Sequence, residues 1–285
     1  MAQILYGKPV VEALKIKFQK ENEYWASKNI APKIAIVRVG NKKDDIAYEA
    51  RIEKNCNELG VELIKSIVDD NINTVNLIKF INNLNQDDSV HGILVFRPLP
   101  DTIDTMQVKN SINPIKDIDS MTSINAEKIF SGDQNALAPC TPLAVIEILE
   151  FYNYDLSSLK IGIVNRSLVL GKPLAMMLLE KNATISIGHS KTKDLTFFTQ
   201  NSDIVITGIG KADFFNAEYF NKNSTIIDVG INFNENGMCG DVDFKSVEPM
   251  ANAISPVPGG VGTVTSMMLF MNIMKAMKMQ NIQFR

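Results

Sequence analysis

Cysteine, histidine and tryptophan are scarce in this chain of 285 residues, and each scarcity removes a class of function. The 3 cysteines, Cys56, Cys140 and Cys239, are widely spaced without a CxxC pair, and there are only 2 histidines. That arithmetic supports neither a disulfide framework nor a zinc centre, so no metal is expected. The single Trp belongs to no aromatic-basic stretch, and 29 Lys and Arg stand against 32 Asp and Glu, a formal net charge of -3. Nucleic acid is held by a positive field, so a small-molecule ligand is expected instead. No apolar run reaches the roughly 20 residues of a membrane helix, and MAQILYGKPVVEALK lacks the basic start and apolar core of a secretion signal. The expectation is a reduced, cytoplasmic protein with no membrane partner.

What is present is ordinary globular composition, 45% hydrophobic and 21% charged, in a chain long enough for about two domains. The apolar spacing alternates between the two regular periods. Val10–Lys20 has helical spacing, Lys33–Val39 alternates as a strand, and Asp45–Leu59 is helical with Gly60 as its cap. Val61–Val68, Thr74–Asn85 and Val90–Phe96 then predict strand, helix and strand. This order makes a first parallel α/β unit. A polar, turn-rich region follows, Asn113–Pro142, read as a linker or a cleft-lining loop. Leu143–Phe151 is helical, and strands are predicted at 160–164, 183–187, 203–209 and 224–230, with a helix at 171–181. The second half is thus a doubly wound nucleotide-binding domain, closed by a Met-rich helix at Met267–Met279.

The stretch KIGIVNRSLVLGKP, Lys160–Pro173, is the junction of strand, turn and helix that phosphate binding in a parallel sheet requires. Free N–H groups in the first turn of the helix are expected to point at the ligand. The GxGxxG fingerprint is absent: its glycine positions hold Gly162, Val164 and Ser167. The next strand ends in Gly188-His189-Ser190-Lys191-Thr192, with no acid for a ribose 2′-hydroxyl, and Arg166 stands in the turn. Both features favour a 2′-phosphate, hence NADP, the alternative being a phosphate-free turn with Arg166 on the surface. The loop Pro256-Val-Pro-Gly-Gly-Val-Gly262 is either a tight connection or a rigid ligand-facing surface, and its place after a strand-like segment favours the latter. Asp117 and Asp119 sit on one side of an extended segment, as a pair recognising an amidine-like group would, or as a solvated turn. Tyr48, with Arg51 and Ile52 on its helical face, is a fourth candidate.

Taken together these residues resemble the bifunctional methylenetetrahydrofolate dehydrogenase/methenyltetrahydrofolate cyclohydrolase family. The resemblance runs nearly end to end: VGN before Tyr48, CNELG to Gly60, GILV to Val95, PLP to Pro100, PIKDID to Asp119, TSIN, PCTP, GKP, ATISIGHSKT, DVGIN, GDVDF and PVPGGVG to Gly262. It implies an α/β fold in which an N-terminal α/β catalytic domain, residues 1–138, is rejoined by 264–285 as a C-terminal helix packing back on it. Residues 139–263 are the Rossmann-type NAD(P)-binding domain. It also implies tetrahydrofolate derivatives as substrates and a homodimer. By resemblance Asn165, Arg166, Ser167, Ser190 and Ile231 bind the cofactor, while Tyr48, Asp119, Pro258, Gly259 and Gly260 bind substrate, Tyr48 and Asp119 being catalytic.

Departures from the family pattern cluster on the water-activating side. The family carries a lysine four residues after the tyrosine, assisted by a glutamine in GILVQLPLP; here Ile52 and Phe96 stand in those places and Arg97 replaces the leucine. Neither replacement carries a proton, so oxidation to methenyltetrahydrofolate with weak or lost hydrolysis is the expectation. The alternatives are hydrolysis retained through Arg51, Lys54 or Arg97, or a folate- or nucleotide-binding paralogue without catalysis. Ser120 and Asn165 replace family glycines and Thr263 a proline, and Asn165 is expected to be tolerated in a left-handed conformation.

Overall fold

The computed structural model describes residues 2–235 and 237–283, with side chains through Gln280. Residue 1 of the expected first domain and residues 284 and 285 of the returning helix lie outside the described residues. The chain opens with β1 (Gln3–Ile4) and α1 (Gly7–Ala26), then runs β2 (Lys33–Val39), α2 (Lys43–Leu59), β3 (Glu62–Val68), α3 (Thr74–Gln86), β4 (Gly92–Val95), α4 (Thr105–Ser111) and α5 (Ser123–Phe130). It continues through α6 (Cys140–Phe151), β5 (Lys160–Val164), α7 (Gly171–Leu179), β6 (Thr184–Gly188), α8 (Leu195–Gln200), β7 (Ile204–Thr207) and β8 (Thr225–Asp228). A hairpin of β9 (Asn232–Asn234) and β10 (Gly237–Cys239), α9 (Phe244–Val247), β11 (Ala253–Ile254) and α10 (Val261–Gln283) follow.

Two compact units result, divided between Ala138 and Pro139, with further boundaries inside α1 and α10. The unit of Lys15–Ala138 and the residues from Leu269 onward has a three-stranded parallel sheet in the order β3-β2-β4. Its register runs from Lys33 opposite Glu62 to Val39 opposite Val68. Val37, Val39, Leu77, Ile81, Val95 and Val108 bury one face of that sheet under α3 and α4. The last helix packs back on this unit: Asn272 Nδ2 on α10 donates to the carbonyls of Ile118 and Ala138, both at 2.8 Å. Buried amide bonds of this kind fix the helix in position as well as depth.

The other unit takes the residues through Leu14 and Pro139–Met268. Its six strands run in the order β1-β11-β8-β7-β5-β6, all parallel. The start of the chain belongs here because β1 pairs with β11, Gln3 opposite Ala253 and Ile4 opposite Ile254. From β5 the chain moves outward to β6 and then returns to β7 on the other side. A crevice therefore opens where the carboxyl ends of β5 and β7 part.

The periodicity located the central strands to within about two residues, placed the long helices α1 and α10 six residues short at one end, and did not reveal the short strands β1, β9, β10 and β11 or helices set by side-chain caps. The polar region contains α5, whose first turn is capped by Thr122 accepting from the Asn125 N–H. Helix α6 starts at Cys140, three residues before the predicted start. Pro142 is tolerated there because a first-turn N–H has no intrahelical partner to lose. The stretch between the strands at 183–187 and 203–209, which the sequence leaves as helix or loop, holds helix α8, whose start is capped by Asp194 accepting from Phe197 N–H.

Of the two residues replacing family glycines, Ser120 is the one in the left-handed region, at φ 55°, whereas Asn165 is not at positive φ. Left-handed backbone costs an ordinary residue about 1–2 kcal/mol. The Ser120 hydroxyl is also buried without a hydrogen-bond partner. Ser120→Gly should therefore stabilise the protein by about 1 kcal/mol, seen as a higher denaturation midpoint with an unchanged slope in urea.

Candidate active site

Helix α2 has two functional faces. Glu49, Ile52, Cys56 and Leu59 form its buried side. Glu49 is held there by Arg38, itself 4% exposed, through an Nε–Oε2 contact of 2.7 Å. Breaking such a buried pair leaves an uncompensated charge, so it anchors α2 to the end of β2. Tyr48, one residue earlier, turns outward, and its ring lies on Phe96 with centroids 5.2 Å apart. Ile52 is 2% and Phe96 5% exposed. The positions of the family lysine and glutamine are thus filled by core side chains. Burial pushes the Cys56 thiol up to about 12, so it is inert as a nucleophile.

Phe96 sits at the mouth of β4, its N–H donating to Val37 O. The next residue, Arg97, reaches across to Asp119 with Nη2–Oδ2 at 2.6 Å. Burial raises the Asp119 carboxyl above its usual range, Arg97 pulls it back, and Asp117 pushes it up further. Lys42, just before α2, donates to the Pro98 carbonyl at 2.9 Å. Arg51 and Lys54, the other candidate cations, are exposed on α2.

The two aspartates do not act as a pair. Asp117 is fully buried, and its carboxylate accepts from the N–H groups of Met121 and Thr122 and from Asn125 Nδ2. It shapes the turn into α5. Asp119 accepts from Arg97 through Oδ2 alone, leaving Oδ1 without a donor among the described residues.

In the other unit the turn after β5 is built by one side chain. Asn165 Oδ1 accepts from Ser167 N and Ser167 Oγ, each at 2.8 Å, and from Gly171 N at 3.0 Å. Its Nδ2 donates to the Gly208 carbonyl after β7, so the amide spans the crevice at the strand-order reversal. Gly171 is obligatory, because a Cβ there would lie 1.9 Å from the Asn165 carbonyl oxygen. The expected free N–H groups at the start of α7 are not free: Gly171 N is taken by Asn165 and Lys172 N by the Ser167 carbonyl. Asn165 therefore earns its place as the organiser of the turn rather than as a tolerated left-handed residue. Arg166 projects outward, exposed, and no ion pair engages it among the described residues.

The neighbouring strand ends are built similarly. After β6, His189 N donates to Thr192 Oγ1 and Lys191 N to His189 Nδ1, leaving Ser190 exposed. After β7, Asp241 accepts from the N–H groups of Ile209, Gly210 and Lys211 and from Asn232 Nδ2. Asp228, at the end of β8, accepts from Gly230, Asp241 and Val242 N–H. Burial pushes its pKa up to about 6 despite these bonds. Ile231, between them in sequence, is 60% exposed. Asp228 and Asp241 were not singled out from sequence; the signal available was DVGIN followed by GDVDF, two acids beside glycines that leave room for them. A Cβ on Gly230 would meet Asp241 at 2.4 Å and one on Gly240 would meet Asp228 at 1.9 Å.

The loop at Pro256–Gly262 packs on the start of α1, with Gly7 N donating to Gly259 O at 2.8 Å. Gly259 has φ 107°, and a Cβ on Gly260 would lie 2.5 Å from the Pro256 carbonyl. Both glycines are required by the connection itself, and Pro258 is exposed at its tip.

Among the described residues no group of three or more His, Cys, Asp or Glu could hold a metal ion, and no helix is long and apolar enough to cross a membrane. Residues 5–119 match the family model for the tetrahydrofolate dehydrogenase/cyclohydrolase catalytic domain, and residues 139–281 match that for its NAD(P)-binding domain. The chain belongs to the tetrahydrofolate dehydrogenase/cyclohydrolase family. Within that family it is 49% identical over 277 residues to a Clostridium botulinum protein named bifunctional protein FolD, covering 97% of this chain and 98% of the other. The solved bifunctional FolD enzyme from Campylobacter jejuni superposes with a TM-score of 0.94 at 37% identity, covering 98% of this chain and 99% of the other. The Trypanosoma brucei family enzyme, solved with NADP cofactor and an inhibitor, gives 0.89 at 28% identity over 98% of both chains.

If Asn165 organises the turn, Asn165→Ala removes four hydrogen bonds at once. A loss of about 2–4 kcal/mol is expected in urea unfolding, with Asn165→Asp retaining the three acceptor contacts and losing less.

Proposed function

We propose that this chain oxidises methylenetetrahydrofolate to methenyltetrahydrofolate with NADP, and that hydrolysis to 10-formyltetrahydrofolate is weak or absent. The observation that carries the second half is the burial of Ile52 and Phe96 at the two water-activating positions. Support for the first half is a cofactor turn held together by Asn165 with Arg166 exposed beside it.

The residues fit the dinucleotide. The crevice lies between β5 and β7, Gly171 gives the backbone its close approach, and Arg166, Ser167 and Ser190 offer a cation and hydroxyls where no carboxylate stands at the end of β6. Bound NADP supplies the hydride acceptor for this chemistry. The protein's part is positioning: Tyr48, backed by the buried Phe96, presents an aromatic face, and Asp119 presents a carboxylate oxygen to the amidine-like edge of the pterin. Pro258, Gly259 and Gly260 are assigned to the substrate on resemblance alone. When the hydride leaves the methylene carbon, a folate nitrogen lone pair delocalises the positive charge, so no protein base is required. Hydration differs, because the attacking water must lose a proton. Arg97 is engaged by Asp119, and a guanidinium is too basic to shuttle protons. Arg51 and Lys54 are exposed on α2. A cytoplasmic homodimer completes the reading, which places the chain in one-carbon supply to purine biosynthesis.

With methylenetetrahydrofolate and NADP, absorbance should show NADPH formed together with methenyl product that accumulates. Rapid conversion to the 10-formyl product would overturn the hydrolase half, and no NADPH would overturn the oxidation. An Ile52→Lys, Phe96→Gln double variant, checked for folding, should hydrolyse added methenyltetrahydrofolate at least tenfold faster than the parent. Arg166→Ala should raise KM for NADP by about tenfold, the loss of one charge-assisted contact, with less than a twofold change for NAD.

A further inference from the structure

Arg97 stands where the family resemblance places an uncharged leucine, and among the described residues its side chain pairs with the Asp119 carboxylate. Both ends of that contact are pre-set by the backbone. On the arginine side, Phe96 is buried and its N–H is bonded to Val37 O, while the Pro98 carbonyl is held by Lys42 Nζ. On the aspartate side, the Ile118 carbonyl accepts from Asn272, and Asp117 fastens the following turn through Met121, Thr122 and Asn125. Two anchored loops thus bring the guanidinium to one carboxylate oxygen at 2.6 Å, and the other has no donor among the described residues.

Stability is a poor reason for this pair. The two side chains are 36% and 26% exposed, and partly exposed ion pairs contribute about 0–1 kcal/mol. The arrangement suits a binding role better, since a carboxylate fixed through one oxygen offers the other in a defined direction. We propose that Arg97 is a positioning residue, which holds the Asp119 carboxylate through Oδ2 and so orients it to receive the N–H groups of an amidine-like substrate edge.

The proposal rests on the reading of Asp119 as a folate contact. The charged groups bearing on Asp119 are Arg97 from the β4 loop and Asp117 from its own segment. Helix α10 brings Asn272, which does not titrate, to Ile118, while α2 brings Tyr48 to Phe96, and Lys42 holds the Pro98 carbonyl. Arg97 opposes the burial that raises the Asp119 carboxyl. Without the arginine, the carboxyl should protonate at a higher pH, and a protonated carboxyl no longer accepts through both oxygens.

The test is the pH profile of kcat/KM for methylenetetrahydrofolate in the parent, Arg97→Leu, Arg97→Lys and Asp119→Asn, with kcat, KM for folate and KM for NADP resolved separately. In Arg97→Leu the acid limb should move up by about one pH unit, as expected for removal of an adjacent cation. KM for folate should rise severalfold at the acid end, kcat and KM for NADP should change less than twofold, and Arg97→Lys should restore the limb. A limb that stays in place, or a KM that falls because Arg97 had been competing with substrate, would overturn the proposal. Asp119→Asn separates the two assignments. If it raises KM for folate at least tenfold while Arg97→Leu leaves the profile unmoved, the role of Arg97 alone fails; if it leaves KM unchanged, the folate contact itself fails.

Discussion

The cofactor end of the later unit depends on how backbone N–H groups at the strand ends are satisfied. Parallel strands deliver several loops to one edge, and each loop carries donors that neither sheet nor helix can use. Here the side-chain oxygens of Asn165, Asp228 and Asp241 take them up. Asn165 ties the β5 turn to the β7 loop, Asp241 the β7 loop to Asn232, and Asp228 the end of β8 to the segment after β10. The crevice between β5 and β7 is therefore a set of loops cross-linked by short polar side chains. A rigid rim of this kind suits a ligand that must be placed for direct transfer between carbon atoms.

The other unit shows the converse. Ile52 and Phe96, which stand where the resemblance places the lysine and the glutamine, are core side chains. Ile52 continues the buried row of α2, and Phe96 supports Tyr48. Both side chains are buried, 2% exposed at Ile52 and 5% at Phe96. Hydride removal places little demand on proton-carrying groups, and so remains compatible with this apolar packing.

Legibility in the sequence followed the same physics. Strands β2, β3 and β5 and the buried face of α2 announce themselves through apolar period, and Gly60 through its left-handed cap at φ 70°. Helices α5 and α8 do not, because their starts are set by Thr122 and Asp194 accepting from the first turn. The candidate residues could be named from motifs, but not their partners. That Arg97 meets Asp119 depends on how the β4 loop and the segment before α5 converge, across 22 positions of sequence. The turn at Asn165 was misjudged in mechanism for a related reason: a replaced glycine suggests backbone freedom, whereas here the amide side chain supplies the hydrogen bonds.

Aspartate shows how burial and donor count divide one residue type between structure and chemistry. Asp117 and Asp241 are fully buried, yet each is surrounded by N–H donors that match its lone pairs, and nothing remains to offer a ligand. Asp228 is also saturated, and burial beside Asp241 still lifts its carboxyl to about 6, so its anionic form is held at a cost in the folded state. Protonation of that group favours the fold below its ordinary value of 3.8, and the advantage fades as pH rises through 6. Among the described residues Asp119 alone of these four has an oxygen without a donor, and the cation that touches it, Arg97, arrives from another loop. A carboxylate with one oxygen committed and one free is chemically unfinished. That, more than its membership of a motif, is what separates Asp119 from its neighbour two residues earlier and favours the proposal that it is the substrate contact.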